Sequence, residues 1–143
     1  MKKNLLFMIT LFLAAAVLLC ACTAPGASLS GTSWKLVSYG PAAAQIPAAA
    51  GVDTKLTFGT DGKVSGNMGC NSLGGDYSVS ADKIVFGPLA ATLMACPDPQ
   101  MTQEGAAFQV LKDTVGFKLA GGTLTITSAD GGSALIFVAV TAK

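Results

Sequence analysis

The residues with the greatest chemical potential in this sequence are four cysteines, Cys20, Cys22, Cys70 and Cys96, and no histidine or arginine accompanies them. Histidine is the usual general base near neutral pH, and arginine is the usual bidentate partner of phosphate and carboxylate groups. A nucleophilic thiolate needs a nearby base or cation, and lysine is the only residue type left to supply one. These absences argue against an enzyme and predict no catalytic residues.

The eight acidic residues are scattered singly along the chain, and several lie in turn-like contexts, where aspartate forms local hydrogen bonds. A metal site would need histidines, clustered carboxylates or further thiolates, so we predict neither a metal nor a cofactor. Asp61-Gly62 and Gly74-Gly75 lack the Gly-Lys-Ser/Thr sequence of a phosphate-binding loop, and we interpret them as turns. Gly69, Gly74 and Gly75 are expected to supply backbone conformations that other residues reach poorly.

Cys22 directly follows an expected N-terminal targeting signal. Lys2 and Lys3 precede an apolar run from Leu5 to Leu19, and small residues follow, which are the parts of a cleavable signal peptide. The run is shorter than the roughly 20 apolar residues of a membrane span, although a retained transmembrane helix is the alternative. Leu19-Cys20-Ala21-Cys22 resembles the lipobox of prokaryotic lipoproteins, whose cysteine receives a diacylglyceryl group, and two acyl chains give stable anchoring. We therefore predict a signal peptide over residues 1–21 and lipidation of Cys22.

The predicted mature chain is exported and anchored by lipid to the cell membrane or outer membrane, with its domain in the periplasm or extracellular space. Residues 22–30 form a lipidated tether and residues 31–143 form one domain. From Cys22 onward the chain carries seven lysines against eight acidic residues. This balance shows no basic footprint for nucleic acid. The lipid anchor at Cys22 makes the membrane the predicted partner.

Alternating apolar residues predict several strands. Trp34, Leu36 or Val37, and Tyr39 are expected to face the core of a first strand, and the alanine- and proline-rich segment 40–51 is expected to be a loop. Hairpins are predicted over residues 55–66, 76–86 and 123–140, with turn signals such as Asp61-Gly62 between their strands. The last strand is continuously apolar, which predicts a central strand that is covered on both faces.

One segment has the pattern of a helix. Asp98 is suited to the cap and Pro99 to the first helical position, and Met101, Phe108 and Leu111 are expected to share one core-facing stripe. The predicted fold class is α+β, mainly β. It consists of a strongly curved antiparallel sheet or half-open barrel of about seven or eight strands with one helix packed across it.

Cys70 and Cys96 are the two cysteines of the predicted domain. An exported domain tends to pair such residues, and a disulfide closing a loop of roughly 25 residues would stabilise the fold by ~3 kcal/mol. Two buried free thiols are the alternative.

Several motifs together resemble the META domain, also called the HslJ-like heat-inducible lipoprotein family. They are Gly69-Cys70-Asn71, Gly75-Asp76-Tyr77, the segments 86–90 and 92–97, and Met101 to Glu104. The resemblance covers about residues 31–140 and implies a compact β-rich fold with one helix in the cell envelope. It implies no established enzymatic activity, an association with stress response and, in some members, with resistance to a hydrophobic antibiotic.

The resemblance also singles out individual residues. It implies a disulfide between Cys70 and Cys96, and its motif residues here are Gly69, Asn71, Gly75, Tyr77, Thr92, Met94 and Glu104. Ser72 and Leu93 stand where many members of the family have arginine. A ligand of those arginines in relatives is therefore not expected to bind this chain.

Two functional hypotheses follow. The first is a non-enzymatic, stress-related structural or protein-binding lipoprotein with an envelope protein as partner, which requires an exposed apolar patch or an unpaired strand edge. The alternative is a carrier of a hydrophobic small molecule or acyl chain, which requires an apolar cavity of about 300 Å³ or more in the β-barrel.

Overall fold

The computed structural model describes residues 28–140, so the predicted signal peptide and Cys22 lie outside the described residues. Ten strands and one helix follow one another in this range. In chain order they are β1 (Thr32–Pro41), β2 (Ile46–Pro47), β3 (Lys55–Phe58), β4 (Lys63–Asn67), β5 (Ser72–Ser80), β6 (Lys83–Phe86), β7 (Ala90–Ala91), α1 (Gln100–Val110), β8 (Thr114–Ala120), β9 (Thr123–Thr127) and β10 (Ser133–Ala139).

Eight of the strands form a closed antiparallel barrel in the order β1-β3-β4-β5-β6-β8-β9-β10. The barrel closes because β1 pairs with β10 from Trp34 opposite Ala139 to Pro41 opposite Ser133. The two short strands are additions, β2 to β1 and β7 to β5. The predicted curved sheet of seven or eight strands with one helix is confirmed, and its closure is complete.

The predicted hairpins are present, and one strand is added to them. Gly62 has a φ of 77° in the β3–β4 turn, and the Asp61 side chain accepts a hydrogen bond from the Lys63 N–H. The added strand, β8, joins β6 to β9. It places Val115, together with the half-buried Phe117 and Leu119, on alternate positions of its inner face.

A β-bulge determines which residues of β1 face the core. Leu36 pairs with Phe137 and Ser38 with Ile136, so Val37 is an extra residue on this strand. The extra residue keeps Leu36 and Tyr39 both inside the barrel and leaves Val37 exposed. The core position left open between Leu36 and Val37 therefore belongs to Leu36, and Trp34 is buried as predicted.

The barrel has two different ends. The closed end contains α1, the β4–β5 connection and the segment between β6 and β8, and α1 packs there against β1 and β10. The open end contains the β3–β4, β5–β6 and β8–β9 turns and the first described residues. Leu29 is buried in the core at this end, so packing begins two residues before the predicted domain boundary at Gly31.

Two predictions about buried faces were wrong in part. Met101 is exposed and Phe108 only half-buried, because α1 turns Gln103, Glu104, Ala107 and Val110 inward and uses the two polar residues to bind loops. Strand β10 is central, as predicted, but Val138 is exposed because the barrel leaves its outer face open. No helix within residues 28–140 has the length and hydropathy of a membrane span.

Candidate functional site

A disulfide joins two segments at the closed end of the barrel. Cys70 lies in the β4–β5 connection, Cys96 precedes α1, and their Sγ atoms are 1.98 Å apart. Cys70 is buried and Cys96 half-buried. The structure thus contains the bonded pair rather than two free thiols, and the bond holds the segment Thr92–Pro97, which we call the apolar loop, against the β4–β5 connection.

Glu104 of α1 lies beneath this connection. Its Oε2 accepts hydrogen bonds from the backbone N–H groups of Cys70, at 2.8 Å, and Asn71, at 2.5 Å. Its Oε1 accepts a third, from Nδ2 of Asn71, at 2.7 Å. All three residues are buried, and a buried polar group without a partner is costly. The carboxylate therefore fixes the backbone of the Gly-Cys-Asn motif.

Asn71 connects the Gly-Cys-Asn motif to the apolar loop by hydrogen bonds. Its Oδ1 accepts hydrogen bonds from the backbone N–H of Met94, at 2.7 Å, and from the Thr92 hydroxyl, at 2.8 Å, while its Nδ2 donates to the Met94 carbonyl at 3.3 Å. Thr92 Oγ1 in turn accepts a hydrogen bond from the Ser72 N–H. One buried amide thus holds both backbone polar groups of Met94.

The motif glycines serve close packing rather than unusual backbone angles. Gly69, Gly74 and Gly75 are all absent from the residues with positive φ, so the expectation for them was wrong. A Cβ on Gly69 would lie 2.3 Å from the Gln100 carbonyl oxygen, and one on Gly75 would lie 2.7 Å from a Leu89 methyl group. Gly69 therefore lets α1 approach the β4–β5 connection.

The structure brings most of the motif residues together, but not all. Gly69, Cys70, Asn71, Thr92, Met94, Cys96 and Glu104 form one cluster at the closed end. Tyr77 lies apart, where its hydroxyl donates to the Gly59 carbonyl at 2.8 Å and its ring forms a T-shaped pair with that of Phe58. Within residues 28–140 no group of three metal-ligating side chains converges.

One member of the closed end was missed by the sequence analysis. The buried Gln103 donates from Nε2 to the Met68 carbonyl at 2.6 Å and accepts at Oε1 from the Ala49 N–H at 2.7 Å. It therefore ties the alanine-rich loop to α1. Its position next to Glu104 on a helix was the only signal in the sequence, and a glutamine in a helix is more often exposed.

The META domain model matches residues 27–141. The chain belongs to the META domain family. This confirms the family suggested by the sequence motifs, and with it the grouping of the Gly-Cys-Asn and Met-Ala-Cys motifs in one domain.

Solved structures resemble this META domain. A protein from Burkholderia xenovorans, solved by NMR, is 29% identical, with a TM-score of 0.67 over 80% of this chain and 85% of that one. A second NMR structure is 23% identical, with a TM-score of 0.59 over 75% and 87% of the two chains. A crystal structure of a DUF4847 family protein from Bacteroides vulgatus ATCC 8482 shares the fold at 11% identity, with a TM-score of 0.59 over 79% and 95%. No curated protein matches the sequence.

The outer surface of the META domain cluster is apolar. Leu93 is 99% exposed and Met94 56% exposed, although the backbone of the apolar loop is held from beneath. Ser72 is also exposed and pairs its carbonyl with the Thr92 N–H. Ser72 and Leu93 therefore both lie on this surface, and both are neutral.

The open end of the META domain carries a separate feature. A cleft of about 690 Å³, which we call the mouth cleft, lies between the end of β5, the first described residues and β8. Its lining includes Leu29, Tyr77, Val79, Phe117 and Leu119. The cleft exceeds the volume of about 300 Å³ that a carrier requires.

Proposed function

We propose that this chain is a cell-envelope lipoprotein whose META domain is non-enzymatic and binds a protein partner through the apolar loop. One observation carries the proposal: Leu93 is almost fully exposed on a loop whose backbone is fixed by buried groups. Such a side chain contributes nothing to the core and is available for contact with another molecule.

The fixed loop favours binding energetically. Ordering a flexible loop on association lowers affinity, whereas a loop already ordered in the free protein avoids that cost. The disulfide and Asn71 order the loop from both sides of Met94. Met94 adds a flexible thioether, a side chain that adapts to partner surfaces.

The neutral surface indicates the chemistry of the partner. Ser72 and Leu93 present no charge, whereas the family resemblance implies arginine at these positions in many members. The expected partner is an envelope protein with an apolar pocket that accepts a leucine side chain, rather than an acidic surface.

The N-terminal sequence supports the location of this function. The basic start, the apolar run and the small residues before Cys22 fit export followed by lipidation. The proposed role in stress protection of the envelope rests on the family resemblance.

Photocrosslinking in intact cells tests the partner site. A photoreactive amino acid replaces Leu93 in the full chain, and the control replaces Val85, a 40% exposed residue of β6 on the outside of the barrel. We expect one protein adduct of discrete mass from position 93 and none from position 85. The Asn71→Ala substitution should reduce the adduct at least fivefold because it releases the loop. Equal adducts at both positions, or none at 93, would contradict the proposal.

The intact mass of the membrane-extracted protein tests the anchor separately. We expect a chain that begins at Cys22 with added acyl mass. An unacylated chain that retains residues 1–21 would rule out the lipoprotein while leaving the crosslinking result independent.

A further inference from the structure

The mouth cleft exists because β5 extends beyond the end of its neighbour β4. Pairing with β4 ends at Asp76 opposite Lys63, and the Tyr77 N–H donates to the Gly62 carbonyl in the turn. Residues 78–80 continue beyond this turn and pair with β6 on their other side only. Backbone groups alternate in direction along an antiparallel strand, so the N–H and C=O of Val79 point to the β4 side of β5, as those of Tyr77 do, but beyond the end of β4.

The body of the cleft is apolar. Val79 follows Tyr77 on the inner face of β5 but is 43% exposed, and Phe117 and Leu119 on the inner face of β8 are only half-buried. A ligand that covers inward-facing apolar side chains at the end of a barrel removes their surface from water, and this burial favours binding. The volume of about 690 Å³ lies within the range of small-molecule sites, about 300–1,000 Å³.

The polar groups of the cleft are almost all neutral. Ser28, Ser30 and Thr60 supply hydroxyls, and Asp82 is the one charged residue among the described residues that line it. An anionic head group would therefore meet a carboxylate and no cation. A neutral head group with hydroxyl and ester oxygens would find donors and acceptors at this rim.

We infer that the mouth cleft binds one acyl chain of a neutral acylglycerol drawn from the membrane. The chain lies along Val79, Phe117 and Leu119, and the glycerol hydroxyls lie at the rim of serine and threonine side chains. No bond is made or broken, so the site holds a lipid and does not transform it.

The location of the cleft agrees with this ligand, and this one step rests on the proposed anchor. Ser28 borders the cleft and lies six residues after Cys22. Six residues span at most about 21 Å when fully extended. An anchored chain therefore holds the open end within that distance of the bilayer surface, where neutral acylglycerols are dissolved.

The test uses the full, anchored chain in phosphatidylcholine vesicles that contain a monoacylglycerol with a photoreactive group on its acyl chain. After irradiation, peptide mass spectrometry should place the adducts in residues 77–82 and 117–119. Val79→Asp should reduce this labelling at least tenfold. The matched control Val85→Asp changes an equally exposed valine on the outer face of the adjacent strand and should leave labelling unchanged.

A second variant tests the head-group chemistry without altering the apolar body. Asp82→Lys should increase labelling by the corresponding photoreactive fatty acid several-fold and lower the preference for monoacylglycerol. Each variant should show the same thermal unfolding transition as the unaltered chain, which verifies that it is folded. Labelling spread over the outer face, or equal in the two valine variants, would overturn the site, and a preference of the unaltered chain for the fatty acid would overturn the neutral ligand.

The source of the acyl chain is tested by removing the anchor. If cleft labelling appears only in a chain that begins at Thr23, then the protein's own anchor fills the cleft and the membrane-lipid source is wrong. Labelling of the anchored chain supports it. Because the Leu93 crosslink does not involve the open end, failure here is distinguishable from failure of the proposed partner site.

Discussion

Glu104 receives three N–H donors from two consecutive residues, so its side chain cannot be replaced without loss. In Glu104→Gln one of the two acceptor oxygens becomes an NH₂ group, which leaves at least one of the donors from Cys70 and Asn71 facing another donor. We expect the free energy of unfolding to fall by about 1–3 kcal/mol. Urea unfolding of a chain that begins at Thr23, which retains every residue of the barrel, measures this change.

The control is the reverse exchange at an exposed position of the same helix. Gln109→Glu should change the free energy of unfolding by less than about 0.5 kcal/mol, because Gln109 is exposed. Equal effects of the two substitutions would mean that the hydrogen bonds of Glu104 do not stabilise the closed end.

Alanine substitutions of Gly69 and Gly105 are expected to have opposite effects on stability. A Cβ on Gly69 would lie 2.3 Å from the Gln100 carbonyl oxygen, whereas one on Gly105, in α1, would meet no heavy atom within 4 Å beyond the backbone of its own helix. Gly69→Ala should therefore destabilise the domain, by about 1–3 kcal/mol for overpacking. Gly105→Ala should stabilise it by roughly 0.5–1 kcal/mol through helix propensity. Thermal unfolding of both variants checks the opposite signs, and a shift in the same direction would contradict the packing role.

At the scale of elements, the disulfide joins the β4–β5 connection to the apolar loop, beyond the end of the short β5–β7 pairing. The cysteines are 26 residues apart, and replacing both by alanine should lower the free energy of unfolding by about 3 kcal/mol through the entropy of the unfolded chain. Urea unfolding with and without a thiol reductant measures this. The reductant should shift the unaltered chain to the midpoint of the variant and leave the variant unchanged, and coincident midpoints for all four samples would refute the expectation.

The β9–β10 turn is held by one exposed carboxylate. The Ser128 hydroxyl donates to Asp130 Oδ1 at 2.6 Å, and the Gly132 N–H donates to the same oxygen at 3.0 Å. These bonds, that of Ser128 first, hold the pKa of Asp130 below its ordinary value. The contribution to stability is complete above the unfolded-state pKa, about 3.9, and is lost as pH falls through the lower folded-state pKa.

A pH titration of the Asp130 carboxyl carbon by NMR checks this prediction. Ser128→Ala should move the titration midpoint towards the ordinary aspartate value, whereas Ser80→Ala, a substitution outside the turn, should not move it. No change in Ser128→Ala would show that the hydroxyl does not lower the pKa.

The elements that the sequence predicted are those with local signals. Alternation and the Asp61-Gly62 turn predicted the β3–β4 hairpin because both lie within a few residues. Strand β8 carries the same alternation at Val115, Phe117 and Leu119 and was still missed, although the glycine pair at 121–122 marks its end. The inward face of α1 was misjudged because Gln103 and Glu104 are buried by partners 33 to 54 residues away in sequence, which periodicity cannot detect.

The candidate site shows the same division. The motif residues were identified through the family resemblance, yet the joint role of Asn71 and Glu104 became visible only when the chain brought them together. The exposure of Leu93 was equally hidden, because an isolated apolar residue in a loop has no period. Contacts between residues that are distant in sequence are determined by the folded structure, and a local sequence pattern does not reveal them.

At the scale of the whole molecule, closure joins the first and last strands of the barrel, which are separated by nearly the full length of the domain. In an open sheet β1 and β10 would be edges, where backbone amides exchange with solvent by local opening. In the closed barrel each is flanked on both sides. We therefore predict that amides of β1 and β10 exchange with deuterium only through global unfolding. The Ala48 amide, which donates to the Val37 carbonyl from the segment that follows the two-residue strand β2, should exchange at a lower free energy.

A pair of β10 variants makes this prediction quantitative. Leu135 is fully buried and Val138 lies on the outer face. Leu135→Ala should lower the exchange free energy of amides in both β1 and β10 by the same amount as the global free energy of unfolding, about 2–5 kcal/mol, whereas Val138→Ala should lower it by less than about 1 kcal/mol. If instead the β10 amides lose protection while those of β1 keep theirs, then the two strands open independently. The barrel would then behave in solution as a sheet with two edges.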